Sequence, residues 1–224
     1  MTTDIQSIDR REAVRRVTVF LGGIAFVGGS RLLHASEDDA HTRAALFAES
    51  GQGVGTFTAA DIAFLDEVAE TIVPATSTPG AKAAKVGAFM ALMVTDTYDP
   101  RDQQIFRDGM RAIDEESRKA NGVAFMKATP PQRLALLERL DREQKAHMDA
   151  REIAQQARRR DAENKADAID SPAHYFRMMK EITLLGYFTS EIGCTQAQRY
   201  VESPGRFEPC LPYKRGERSW ASHA

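Results

Sequence analysis

Neither sign of charge is in excess in this sequence: 30 lysines and arginines stand against 32 aspartates and glutamates, a formal net charge of -2. With no cationic surplus to neutralise a phosphate backbone, nucleic acid is not an expected partner. Only two cysteines occur, Cys194 and Cys210, too few for a disulfide scaffold and lacking the spacing of a zinc knuckle. The chain has no glycine-rich phosphate loop, His-Glu-x-x-His pair, Cys-x-x-Cys-His haem attachment or nucleophile elbow. Paired Glu-x-x-His motifs of a di-iron bundle are missing as well. The nearest approach, Asp38-x-x-His41, falls in a polar stretch and reads as chance polarity. No catalytic residue, cofactor site or metal site is therefore expected on this chain.

What is present begins with an address. Asp9-Arg10-Arg11-Glu12-Ala13-Val14-Arg15-Arg16 precedes the mostly apolar run Val17–Gly29, the order of a charged and then an apolar region in an export signal. A helix of that run would reach about 20 Å, short of the roughly 30 Å hydrocarbon core of a bilayer. Four glycines dilute the run, unlike a leucine-rich signal. Arg10 and Arg11, followed by an apolar pair and a base, resemble a twin-arginine signal with Ala13 in place of the usual phenylalanine. Residues 1–36 are expected to be that signal, residues 37–56 a polar linker, and residues 57–224 the helical domain. The hydrophobic content of the whole chain, 42%, suffices to bury a core.

The domain reads as helices cut by proline and glycine. Thr58 with Asp61 three residues on has capping-box spacing, and Ile62, Leu65, Val68, Ala69 and Ile72 follow at helical intervals until Pro74. Thr78-Pro79 and Asp99-Pro100 read as two further starts, with Val86, Phe89, Met90, Met93 and Val94 on one stripe and Ile105, Phe106, Met110 and Ile113 on the next. Asn121-Gly122 supplies a left-handed stop. Thr129-Pro130 with Gln132 opens a helix faced by Leu134, Leu137 and Leu140. The densely charged stretch 141–170 is a solvated helical extension or a flexible arm, with His147 exposed. Ser171-Pro172 caps the last long helix, whose buried side is expected to be Tyr175, Met179, Ile182, Leu185 and Phe188, with His174 in a local capping role. Strand alternation is lacking, so the fold class is all-α, a bundle of about five or six helices with an irregular proline- and aromatic-rich tail over 194–224.

Two runs carry a family resemblance. Glu70-Thr71-Ile72-Val73-Pro74-Ala75-Thr76-Ser77-Thr78-Pro79-Gly80-Ala81 resembles the opening pattern of the gluconate 2-dehydrogenase subunit 3 family. Gly186-Tyr187-Phe188-Thr189-Ser190-Glu191, followed by Cys194, Tyr200, Pro204-Gly205 and Cys210, resembles its closing pattern. The resemblance implies a non-catalytic small subunit of a membrane-associated sugar or sugar-acid dehydrogenase complex. In such a complex FAD sits on a large subunit of the glucose-methanol-choline (GMC) type and haem c on a multihaem cytochrome c subunit. The small subunit binds the flavoprotein and escorts it through the twin-arginine translocase, which implies a periplasmic location at the cytoplasmic membrane. The competing reading is a free-standing periplasmic helical enzyme or metal-binding protein.

Two expectations concern the tail. Cys194 and Cys210, the only cysteines and both at the irregular end, are expected to pair in an oxidising compartment. Tyr187, Phe188, Tyr200, Phe207, Leu211, Tyr213 and Trp220 offer more large apolar area than a solvated tail tolerates, and are read as a docking surface for the large subunit. The alternative is that the tail packs back on its own bundle.

Overall fold

A computed structural model describes residues 39–51, 53–161, 172–201, 205, 210, 212 and 214–221, all within the unit Glu37–Ala224. The export-signal reading, with Arg10 and Arg11, lies outside the described residues, as do Phe207, Leu211 and Tyr213. The described residues contain six α-helices and no strand, an all-α bundle: α1 Asp39–Ser50, α2 Ala59–Ile72, α3 Val86–Thr97, α4 Pro100–Asn121, α5 Pro130–Asp161 and α6 Tyr175–Phe188. A 3-10 turn Phe125–Lys127 precedes α5, and a π turn Gly193–Ala197 follows α6. None of the described helices is long and apolar enough to cross a membrane.

Local capping sets most of these boundaries. Thr58 and Asp61 form a reciprocal capping box at α2. Asp99 accepts from the Asp102 amide with Pro100 in the first turn of α4, and Gly122 closes that helix at φ 72°. Gln132 Oε1 accepts from the backbone N–H of Thr129 at 2.9 Å at the start of α5. The core is one cluster that includes Leu65, Val68, Met90, Phe106, Ile113, Leu140, Phe176 and Met179, all at most 1% exposed. Burying each such side chain contributes about 1.5–3 kcal/mol. Helix α6 packs against α2, α3, α4 and α5, which makes it the central post of the bundle.

Four sequence expectations change. The stretch read as linker contains α1, held to the bundle by buried Ala44, by the Arg43–Asp96 pair at 3.1 Å and by the Lys85–Glu49 pair at 2.7 Å. Helix α3 starts at Val86, not after Thr78, because Lys85 takes a left-handed conformation (φ 55°) immediately before it. Leu134 is 48% exposed while Leu136 replaces it in the core. In α6 the buried side is Phe176, Met179, Ile182, Thr183, Gly186 and Tyr187, so the stripe is turned by about one residue and Leu185 and Phe188 face outward. The charged stretch is helical through Asp161, so the extension reading holds that far.

Candidate functional site

The segment between α2 and α3 is clasped by one carboxylate. Glu70, in the last turn of α2, accepts from the Ala75 amide at 2.9 Å and the Lys82 amide at 2.8 Å, so the loop closes around its two oxygens. Gly80 is there because a side-chain carbon at that position would lie 2.6 Å from the Ala75 nitrogen. One turn earlier, Glu67 bridges Lys82 and Arg133, and Arg133 also donates to the carbonyls of Phe125 and Met126 at 3.1 and 2.9 Å. These partners hold the Glu67 carboxyl below its usual range against the opposing effect of burial, which is the largest single influence on it. Asp66 accepts from the Gly87 amide at 2.8 Å, and burial raises its pKa. Three acidic residues in the last two turns of α2, Asp66, Glu67 and Glu70, thus organise the start of α3 and α5.

The end of α6 meets that loop. Tyr187, 2% exposed, donates its hydroxyl hydrogen to the Pro79 carbonyl at 2.7 Å across 108 positions of sequence. Behind it Ser190 Oγ donates to the Tyr187 carbonyl at 2.7 Å and accepts from the Gly193 amide at 3.0 Å, which sets the π turn. Phe89 of α3 fills the space beside Gly186 and stacks on the His41 ring of α1, centroids 4.3 Å apart. His41 Nε2 lies 2.7 Å from Thr189 Oγ1. The two sequence runs that carry the resemblance are therefore one structural feature, joined at Tyr187 and Pro79.

The pattern of the family described as Gluconate 2-dehydrogenase subunit 3 matches residues 59–205, which contains the opening run 70–81 and the closing run from Gly186 to Gly205, but not Cys210. The chain belongs to that family. The family is named for a subunit of an oxidoreductase complex, and the match begins at α2, so α1 stands before it. No protein of curated function and no solved structure shows a significant match to the chain.

The residues read as a docking surface do not all share one environment. Tyr187 is a core residue, a correction that follows from its hydroxyl bond to Pro79 and its place on the buried side of α6. Phe188, Tyr200 and Trp220 are 39%, 42% and 50% exposed. Phe188 stands beside Leu184 and Leu185, both also exposed, on the outer face of α6. The chain around Trp220 doubles back on the segment after the π turn: Arg199 N donates to the Ser219 carbonyl at 2.9 Å, Ala221 N to the Arg199 carbonyl at 2.8 Å, and the Arg199 guanidinium lies 4.6 Å from the Trp220 ring centre. Cys194 is buried, its thiol 3.2 Å from the Phe188 carbonyl, and Cys210 is exposed; both are free thiols in this structure.

A cleft of about 170 Å³ opens between α2, α5 and α6, floored by Ile72, Leu137 and Phe176 with exposed Leu134 at its lip. Lys180 and Asp141 pair across its rim at 2.6 Å, and the lysine holds the Asp141 carboxyl below its usual range. Ligand pockets usually measure about 300–1,000 Å³, so this cleft suits a single inserted side chain. Among the described residues no group of three His, Cys, Asp or Glu side chains is placed to hold a metal ion. Sequence reasoning missed the Glu70 clasp and the His41 stack. A glutamate four residues before Pro74 was the available signal for the first; nothing local marked the second.

Proposed function

We propose that this chain is the non-catalytic small subunit of a periplasmic sugar or sugar-acid dehydrogenase complex. It binds a FAD-containing GMC-type large subunit and escorts it through twin-arginine export. A multihaem cytochrome c subunit then stands in the same complex at the cytoplasmic membrane. The observation that carries this reading is the use to which the family-matched polar groups are put. Glu70 accepts two backbone amides, Tyr187 donates to a backbone carbonyl, and Thr183 and Ser190 donate to the carbonyls of Met179 and Tyr187. Groups that could act as base or nucleophile are occupied in building a rigid scaffold. What that scaffold turns outward beside Tyr187 is apolar: Leu184, Leu185 and Phe188. Rigid apolar anchors with few rotatable bonds bind partners well. Tyr200 and Trp220 extend the docking area, with Phe207, Leu211 and Tyr213 proposed alongside them.

The test is co-expression with a FAD-containing GMC-type large subunit and purification on a tag carried by this chain. A yellow complex is expected, and the double variant Leu184→Asp with Phe188→Asp should lose the flavoprotein while keeping its helical spectrum. Full retention of the flavoprotein by that variant would remove α6 from the interface. A colourless chain that oxidises sugar acids alone would favour the free-standing enzyme.

A further inference from the structure

Away from the Tyr187 end, the opposite terminus of α6 is held by two histidines. His174 is the N-cap of α6: its Nδ1 accepts from the Phe176 amide at 3.2 Å, and its carbonyl accepts from the Met178 amide at 3.3 Å. An accepting Nδ1 places the single ring proton on Nε2, so the cap exists only in the neutral ring. His147 of α5 donates from Nε2 to the Pro172 carbonyl at 3.3 Å and sets its ring 5.6 Å from that of His174. Tyr175 stacks on His174 at 4.5 Å, and Gly109 of α4 lets the Tyr175 ring approach closely. The strand of chain entering the central helix is thus fastened to α5 by one imidazole and to its own helix by another.

We propose that the His174–His147 pair is an acid-sensitive latch on the first turn of α6, closed while the His174 ring is neutral and opened when it takes up a proton. Protonation turns Nδ1 from acceptor to donor, so two N–H groups face each other where the cap had been, and it places a positive charge at the positive end of the helix. Two imidazoliums at this separation also repel each other. Burial, and then His147, push the His174 pKa down, while Glu143 of α5 opposes them. Among the described residues, the elements that meet here also carry Arg139 of α5, bonded to Glu116 of α4 at 2.9 Å and to Glu143 at 2.8 Å, and the Arg177–Glu181 pair of α6. The neutral cap contributes fully above the ordinary histidine range, near pH 6.5, and its contribution is lost as pH falls through the lowered value.

Hydrogen exchange of the full chain tests this, with each rate divided by the intrinsic rate at the same pH. Protection of the Phe176–Met178 amides should fall at least tenfold between pH 7.5 and pH 5, while the middle of α4 stays constant. His174→Asn, which keeps an N-cap acceptor but cannot titrate, should hold its protection flat across that range. Ring nitrogen shifts of the unaltered chain give an independent reading: His174 should be the Nε2–H tautomer at neutral pH and titrate below the ordinary histidine value. Constant protection in the wild type, an equal fall in the asparagine variant, or a His174 proton on Nδ1 at neutral pH would each overturn the latch.

Discussion

Gly193→Ala makes the most demanding test of the joined end of the fold. The backbone at Gly193 is not left-handed, so the cost of a side chain there is one of space. A Cβ would fall far inside contact distance of the Tyr187 carbonyl oxygen, 2.7 Å from its carbon and 3.0 Å from the Phe188 Cα. All three are backbone atoms at the end of the central helix, and none can swing aside as a side-chain tip would. The π turn must move instead. Moving it breaks the Gly193–Ser190 and Ser190–Tyr187 bonds and the Cys194 amide bond to the Ser190 carbonyl. At about 1 kcal/mol each these total roughly 3 kcal/mol, and the higher helix propensity of alanine returns about 1. The net loss of about 2 kcal/mol should lower the melting temperature by roughly 4–8 °C in a domain of this size. Gly122→Ala is the contrast, since its φ of 72° carries strain but its surroundings are empty; it should cost about 1 kcal/mol through backbone strain alone. Denaturant midpoints and calorimetry on the two variants decide the matter. An unchanged or raised midpoint for Gly193→Ala would refute the packing argument, as would a Cys194 thiol no more accessible than before.

Tyr187→Phe keeps the ring and removes only the hydroxyl bond to Pro79, so a loss of about 1 kcal/mol is expected by urea titration, with the Pro79 carbonyl left to water. Burial raises the Cys194 pKa; in the reduced chain, alkylation at pH 8 should therefore label exposed Cys210 many times faster than Cys194, and equal rates would contradict the placement. Thiol counting on denatured, unreduced protein from the periplasm should find neither cysteine free if the two pair after export; two free thiols would end that proposal. Arg10→Lys with Arg11→Lys should leave the chain in the cytoplasm, together with the large subunit proposed for it, and normal periplasmic recovery would dismiss the twin-arginine reading.

Where a boundary is set by a side chain reaching its own backbone, the sequence showed it. The Thr58–Asp61 box, the Asp99 cap with Pro100, the Gly122 stop and the Thr129–Gln132 contact all lie within four residues of their partners. Where a distant group decides, reading along the chain failed. Thr78-Pro79 looks like a helix start, yet the Glu70 carboxylate from the previous helix holds Ala75 and Lys82 and delays α3 to Val86. Helix α1 was hidden because its buried stripe is thin, an alanine and a half-buried phenylalanine, and its fastening partners are the remote Asp96, Lys85, Phe89 and Thr189. In α6 two apolar stripes overlap, and only packing tells which is inside; the helix turns Tyr187 inward because its hydroxyl has a carbonyl to meet at Pro79. The family runs could be read as motifs, but that they touch could not.

The central position of α6 has a consequence for synthesis. The helix that fills the middle of the core is the last of the described α-helices in chain order, so Phe176, Met179, Ile182 and Tyr187 close against α2, α3, α4 and α5 only after those four have been made. Until then Leu65, Met90, Phe106 and Ile113 share an unfilled trough. Any nascent chain stopped short of α6 therefore exposes apolar surface of α2, α3, α4 and α5 that α6 covers in the finished protein.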